Sequence, residues 1–377
     1  MSEVKVRECV KYSLPQAEIT LGEAGGEALE SVVARCKGRW AAECARIVNS
    51  AKAHYARSGV GLSGETLDDV LFCYFAYGFM PDEYMCFGLA GRAPEQRREF
   101  LSNRDRDVIV YSVNDIIELE RFLDKWKTYR AYSSWYGRAA VSVGKKASYK
   151  DYLTFVESHD SFVCKKVRLS KGDSIHLVKN SEMGDPRTFF DETASSGNAI
   201  LEEPIVQSEV MAALNPSSVN TLRVITLNTR YGAEVLDCFL KIGRNGSFVD
   251  NGGAGGLLVG IDAGVGVLST DGRDEFADSY AVHPNTKVRF QGYQLPDWNG
   301  AMGLAKELSS RESRVPYIGW DLAHTDSGWV VVEGNASGQL IGPQIVSQVG
   351  SRRRVLAALH DVEQIVPLNL EEKSCLK

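Results

Sequence analysis

Residues 317–338, YIGWDLAHTDSGWVVVEGNASG, constrain the fold more tightly than any other stretch of the chain. Apolar, aromatic and β-branched runs at 317–323 and 329–333 flank Asp326-Ser327-Gly328, which has turn chemistry. The stretch reads as a β-hairpin. With Ser327 at the apex, Asp321 and Glu333 oppose each other, and Asn335 projects to the same side. Facing carboxylates at cross-strand distance repel and destabilise the pair. A hard divalent cation would resolve the repulsion, because Mg²⁺ takes a few protein oxygens and shares the rest of its shell with phosphates. Asp321, Glu333 and Asn335 therefore read as a Mg²⁺ site serving a nucleoside triphosphate. The plainer alternative is a solvated hairpin with two exposed acids.

The chain around this hairpin is long enough, at 377 residues, for two or three packed lobes. A net charge of −6 gives no bulk electrostatic case for nucleic-acid or membrane-surface binding. The eight cysteines are scattered without a CxxC pair, which suggests neither a zinc site nor a disulfide framework. The opening residues, MSEVKVRECVKY, lack the apolar core of a signal peptide. No run of about 18 apolar residues occurs, so no spanning helix is expected. These features predict a reduced, cytoplasmic protein.

From 27 to 57 apolar residues recur at three- and four-residue steps, as in a helix, and Gly59 stops it. A second helical block starts at Thr66 and breaks at Met80-Pro81-Asp82. Its aromatic residues (Phe72, Tyr74, Phe75, Tyr77, Phe79 and, beyond the break, Tyr84 and Phe87) read as core rather than as a ligand box. The charged stretch 92–105 reads as a solvated helix or connection. An amphipathic helix is expected over 108–129, a strand at 141–143 and a helix at 148–160. Residues 161–260, rich in β-branched runs and turn residues, predict an antiparallel-sheet lobe with one or two helices.

Several shorter pieces suggest anion chemistry. The strand ending in Lys165 leads into a loop with Ser170, Lys171 and Gly172, whose backbone N–H groups could close over phosphates. It lacks the GxxxxGK[ST] pattern of a P-loop, and basic hairpins are common on surfaces. In LEEPIVQ, Pro204 forces the chain to leave the sheet or sit at its edge. A backbone leaving a sheet offers groups that can read an adenine edge, and an acid or amide further on can hold ribose hydroxyls. An ordinary edge strand fits equally. Arg223 stands among apolar neighbours in a strand, where it is costly unless paired. Its fork suits a phosphate, and a buried acid would satisfy it as well. After Lys241 and Arg244 come four glycines within 252–256, a place for close backbone approach to an anion or simply a flexible turn.

In this order the pieces resemble the ATP-grasp superfamily, and most closely its sugar-transfer-associated branch. The matching residues are Asp124-Lys125; Phe162-Val163-Cys164-Lys165; Leu201 through Gln207; Ser218 through Arg223; Val249-Asp250-Asn251 with Gly255-Gly256; His283-Pro284; Leu295 through Trp298; and Gly319-Trp320-Asp321 through Glu333-Gly334-Asn335. The resemblance covers roughly residues 70–350. It implies an α+β fold in which two lobes with antiparallel sheets enclose ATP, plus a helical N-terminal region. The expected divisions are a helical region at 1–105, a linker and N-terminal lobe at 106–200, a C-terminal lobe at 201–362 and a tail at 363–377.

Carried over by position, Lys125 and Lys165 resemble the nucleotide-phosphate lysines, with Gly172 in the phosphate loop. Glu202, Glu203 and Ile205 resemble the hinge that meets adenine, with Gln207 or Glu209 near the ribose. Asn220 and Asn251 fall among the nucleotide contacts. Arg223 and Lys241 resemble the groups facing the γ-phosphate and an acyl phosphate. Asp321, Glu333 and Asn335 resemble the Mg²⁺ ligands. Lys166 stands where many members have proline, and Lys241 where arginine is common, which keeps the charge but loses the bidentate fork. His283 reads as structural or substrate-facing, with the structural role ranked first because His-Pro is commonly a turn.

The implied cofactors are ATP and Mg²⁺. The implied reaction joins a carboxylate to an amine through an acyl phosphate, with a small-molecule, peptide or sugar-acid substrate, in glycan or secondary-metabolite biosynthesis. A phosphotransferase acting on a hydroxyl would use the same cradle, and a non-catalytic nucleotide-binding scaffold is the third reading. The sequence does not fix the oligomeric state.

Overall fold

A computed structural model describes residues 41–168 and 175–362. Within it eleven strands form two antiparallel sheets. The smaller sheet has the order β1-β4-β2-β3, built from β1 (Ala140–Val143), β2 (Ser161–Lys166), β3 (Ile175–Lys179) and β4 (Ala199–Glu202). The larger has the order β11-β10-β5-β6-β7-β8-β9. Its strands are β5 (Thr221–Thr229), β6 (Gly232–Ile242), β7 (Leu257–Asp262), β8 (Val267–Arg273), β9 (Ser279–Tyr280), β10 (Tyr317–Thr325) and β11 (Gly328–Asn335). The α+β class and two-lobed architecture are those expected.

The central strands β5 and β10 are buried along most of their length, which is why they read as unbroken apolar runs. The helix Trp298–Ser310 covers one face of the larger sheet, placing Ala301, Ala305 and Leu308 in the main core. The helix Ile341–Ser347 packs on the other face over β6, β7 and β8. There Gly342 lies flat on the Phe239 ring, and an added Cβ would come within 2.4 Å of it. Phe239 pairs with Arg223, so this helix closes part of the face that carries Arg223. The rest of that face looks towards the smaller sheet.

The N-terminal helices form their own apolar cluster, and all seven aromatics of the block 72–87 are buried in it. Ile345 belongs to the same cluster and Leu258 packs against it, so this unit is fused to the larger sheet. The helix expected from 27 runs from Ala41 to Ser58 among the described residues. The single helix expected over 108–129 is three: Asn103–Val113, Ile116–Phe122 and Lys125–Tyr136. Asp115 and Asp124 cap the second and third, accepting hydrogen bonds from the N–H groups of Ile117 and Lys127. Two of the expected divisions cut elements. The one at 105/106 falls inside Asn103–Val113, and the one at 200/201 falls inside β4, which pairs with β1 and β2 and so belongs to the smaller sheet.

Candidate active site between the two sheets

Register places the chemistry. Glu333, Asp321, Arg223 and Phe239 lie in one row across β11, β10, β5 and β6, and Thr221 and Lys241 pair one step along the same face. The hairpin opposes Asp321 to Glu333 as expected, by a different route. Thr325 pairs with Gly328, so the turn has two residues, Asp326 and Ser327. A regular ladder from that turn would set Val332 against Asp321 and send Glu333 to the opposite face. Val332 is instead an extra residue, a β-bulge between the Leu322–Val331 and Asp321–Glu333 pairs, and it returns Glu333 to the face of Asp321.

Asp321 is buried and surrounded by cations. Arg223 grips it with two bonds, Nε to Oδ1 at 2.5 Å and Nη2 to Oδ2 at 2.8 Å, and Lys241 Nζ adds a third to Oδ2 at 3.0 Å. Burial pushes the Asp321 carboxyl up, but Arg223 and Lys241 outweigh it and hold it well below the usual range. Glu333 is half-exposed, with Lys125 Nζ 4.0 Å from its Oε2. The repulsion read from the hairpin is thus already offset by the chain's own cations, and it does not by itself require a metal.

Asp250, next to the glycine-rich stretch, belongs to the matching set but has no role in the sequence reading. It is buried, and its Oδ2 accepts from Thr221 N–H at 3.0 Å and Thr221 Oγ1 at 2.5 Å. Its Oδ1 lies 3.9 Å from Lys241 Nζ. Burial pushes its carboxyl up despite Lys241.

A second cluster sits across the cleft. Lys165, near the end of β2, and Glu202, ending β4, are both buried and meet at 3.0 Å. Arg138 joins them, with Nε 2.8 Å and Nη2 2.5 Å from Glu202 Oε2. Burial raises the Glu202 carboxyl, and Arg138 and Lys165 overcome this to hold it near 2. Burial pulls the Lys165 ammonium below its usual value.

Between the clusters lies a cleft with about 810 Å³ of open space, its mouth included. Polar groups from both sheets face it: Lys165 and Glu202 from one, Lys241, Asp321 and Glu333 from the other. Apolar walls come from Val163, Ile205, Val219, Phe248 and Val332. Glu203, Asp250 and Asn251 also line it. The Glu203 N–H is already used by Ala139 O at 3.0 Å, so that group is not free to read a ligand edge.

Six candidates among the described residues do not line the cleft. Lys125 and Arg223 contact lining residues, Glu333 and Asp321, and Asn335 follows two residues after Glu333. The other three make local ties or face solvent. The Gln207 amide donates to Asn215 O and Ser218 O and accepts from the Asn220 backbone N–H, which closes the 207–220 loop. Asn220 is fully buried and donates to Met211 O and Asn215 O. Glu209 is exposed in the first turn of the helix Glu209–Leu214. The first two are loop ties, expected of buried amides that must satisfy every donor. Gly172 lies outside the described residues. His283 is a buried turn residue, as read, with Nε2 2.9 Å from Gly243 O.

The fit to a divalent cation differs among the three proposed ligands. Glu333 faces the cleft with its carboxylate open, and Asp321 keeps one of its four lone-pair positions beyond its three bonds. Asn335 Oδ1 accepts from both Ser337 N–H and Ser337 Oγ at 3.0 Å, so the hydroxyl must turn away before that oxygen can ligate. Among the described residues, no group of three or more His, Cys, Asp or Glu side chains could hold a metal by itself. A cation here would therefore draw on the bound phosphates for much of its shell.

Two antiparallel sheets facing each other across a cleft, each bringing acids paired with cations to it, agree with the ATP-grasp fold. The chain belongs to the sugar-transfer associated ATP-grasp family, whose sequence model matches residues 139–363. Solved structures are similar in fold. The ATP-grasp ligase PsnB, complexed with minimal precursor, is 11% identical over 67% of this chain and 63% of its own, with a TM-score of 0.40. The D-cycloserine synthetase DcsG is 11% identical over 66% and 73%, with a TM-score of 0.39. The D-alanyl-alanine synthetase A from Vibrio cholerae is 10% identical over 64% and 65%, with a TM-score of 0.38. The chain thus spans less than two thirds of the first and third. No curated protein matches the sequence. Among the described residues no helix is long and apolar enough to cross a membrane.

Proposed function

We propose that the chain is an ATP-dependent ligase joining a carboxylate to an amine through an acyl phosphate. The observation that carries this reading is the charge arrangement of the cleft. At the Glu202 cluster two buried cations face one carboxylate, a surplus of one positive charge in a low-dielectric wall. Such a surplus has its natural complement in a ligand anion. Opposite it, Arg223 and Lys241 stand beside acids on a rigid sheet, where phosphoryl transfer needs positioned positive charge and little covalent chemistry from the protein.

Lys165 and Lys125 hold phosphate oxygens in this reading. Ile205 and Val163 flank the base from the hinge and the smaller sheet. Arg223 and Lys241 stabilise charge on the transferred phosphoryl group and on the acyl phosphate. Asp321, Glu333 and, once Ser337 releases it, Asn335 would hold Mg²⁺, which supplies charge neutralisation to the phosphates. Exclusion of water by the apolar walls protects the acyl phosphate from hydrolysis.

Hydroxylamine tests the reaction class. Incubation with Mg·ATP, a panel of carboxylic acids and hydroxylamine is expected to give ADP, phosphate and a hydroxamate. ADP release with phosphate left on an alcohol acceptor would favour the phosphotransferase instead. Absence of nucleotide binding by calorimetry would remove both.

A further inference from the structure

We infer that Arg138 is a positioning residue that fixes the register of the acid-bearing hairpin and ties it to the Glu202 cluster. It stands one residue before the family match begins. All five of its N–H donors are committed. Nε and one Nη2 proton go to Glu202, Nη1 donates to Tyr136 O at 3.0 Å and Val331 O at 2.7 Å, and the second Nη2 proton reaches Val332 O at 3.3 Å. The side chain is 4% exposed.

Val331 and Val332 are the residues at the bulge. β11 is the edge strand of its sheet, so its outward carbonyls have no strand to pair with. Arg138 takes two of them, where the extra residue has broken the ladder. A bulge costs ladder bonds, and without compensation this hairpin can slip by one residue. That slip would set Val332 against Asp321 and turn Glu333 away from the cleft. The same guanidinium holds Glu202, so the hinge of one sheet and the register of the other depend on one side chain.

The local chain is built to deliver it. Gly137, ending the helix Lys125–Tyr136, has φ of 59°, a left-handed conformation that suits glycine. A Cβ there would sit 2.8 Å from Val330 Cγ1, so the backbone of Arg138 is pressed against β11. Lysine could not replace the fork, because its three donors radiate from one point.

The catalytic value of this arrangement rests on the proposed function, but the register claim does not. Amide hydrogen exchange on the full chain without nucleotide tests it. Arg138→Lys should speed exchange across residues 330–335 by about tenfold or more, with β5 and β6 unchanged. Deletion of Val332 leaves Glu333 opposite Asp321 in a regular ladder, so the deleted chain should keep its β11 protection within about twofold. Adding Arg138→Lys to the deletion should then have no further effect on β11.

Unchanged exchange in Arg138→Lys overturns the inference. So does an equal loss in the deletion background, or a tenfold loss from the deletion alone, which needs no Arg138 variant to fold. If exchange behaves as expected and the natural chain binds no Mg·ATP, the register role stands and the ligase reading falls.

Discussion

Glu333→Gln removes a negative charge from the cleft and keeps the shape of the side chain. Glu333 is half-exposed and its nearest cation among the described residues is 4.0 Å away, so the substitution should leave the melting temperature nearly unchanged. Mg²⁺-dependent ADP formation should fall by about a hundredfold, the scale of losing one positioned electrostatic group. Near-full turnover would remove Glu333 from the metal site. Arg223→Ala acts differently, because it leaves the buried Asp321 with Lys241 alone. A loss of about 3 kcal/mol is expected in urea unfolding, the low end for breaking a buried ion pair. At this scale the sequence was legible where a residue type is costly without a partner. Arg223 in a core strand demanded either a phosphate or an acid, and the structure supplies the acid. Gln207 and Asn220 form loop ties, and the sequence does not show this because an amide beside a motif looks the same whether it faces a ligand or closes a loop. Arg138 gave no signal, since its four acceptors come from chain positions as far apart as 136, 202 and 332.

Elements turn these residues towards one another, and the helix end at Gly137 is a sensitive point. Gly137→Ala would place a Cβ in left-handed backbone and against Val330. A cost of about 1–2 kcal/mol is expected from backbone strain and the clash together. Gly91→Ala is the control, since Gly91 has φ of 69° and open space at its Cβ. A smaller loss in urea midpoint at Gly91 than at Gly137 separates the contact with β11 from the backbone term. Equal losses would mean that the contact contributes nothing. The hairpin shows how an element can be legible for an incomplete reason. Apolar, aromatic and β-branched runs with a turn between them identify both strands and the Asp321–Glu333 pair. The apex was placed at Ser327, which gives the correct pairing for a regular ladder. The structure reaches it with a tighter turn and a bulge, and a bulge is invisible to a period-two pattern because it changes the count by one residue. The helix expected over 108–129 failed for a related reason. Apolar periodicity continues through Asp115 and Asp124, while those side chains cap new helices.

The whole molecule should lose stability on both sides of mildly acid pH, because its buried carboxyls are displaced in opposite directions. Glu202 is held near 2 and Asp321 is held down by Arg223 and Lys241, so both remain ionised in the folded chain at pH 4. Their contribution is present above the unfolded carboxyl value and disappears as pH falls from about 4.5 towards the folded values. Glu83 goes the other way. Burial pushes its carboxyl up to about 8, although it accepts from Met80 N–H at 2.8 Å and Asn103 N–H at 2.6 Å. Asp82 and Asp105 add repulsion. The folded chain therefore keeps a proton that the unfolded chain has released above about 4.5, and stability declines as pH rises through 8, by on the order of a few kcal/mol. Because Ile345 and Leu258 join the N-terminal cluster to the larger sheet, both limbs should appear in one unfolding transition. Urea midpoints from pH 3 to 9 should then peak near pH 5. Glu83→Gln should flatten the limb between pH 5 and 8 and leave the acid limb in place, since Glu202 and Asp321 lie in a different cluster. An alkaline limb that persists in Glu83→Gln would show that its proton is not the one being lost.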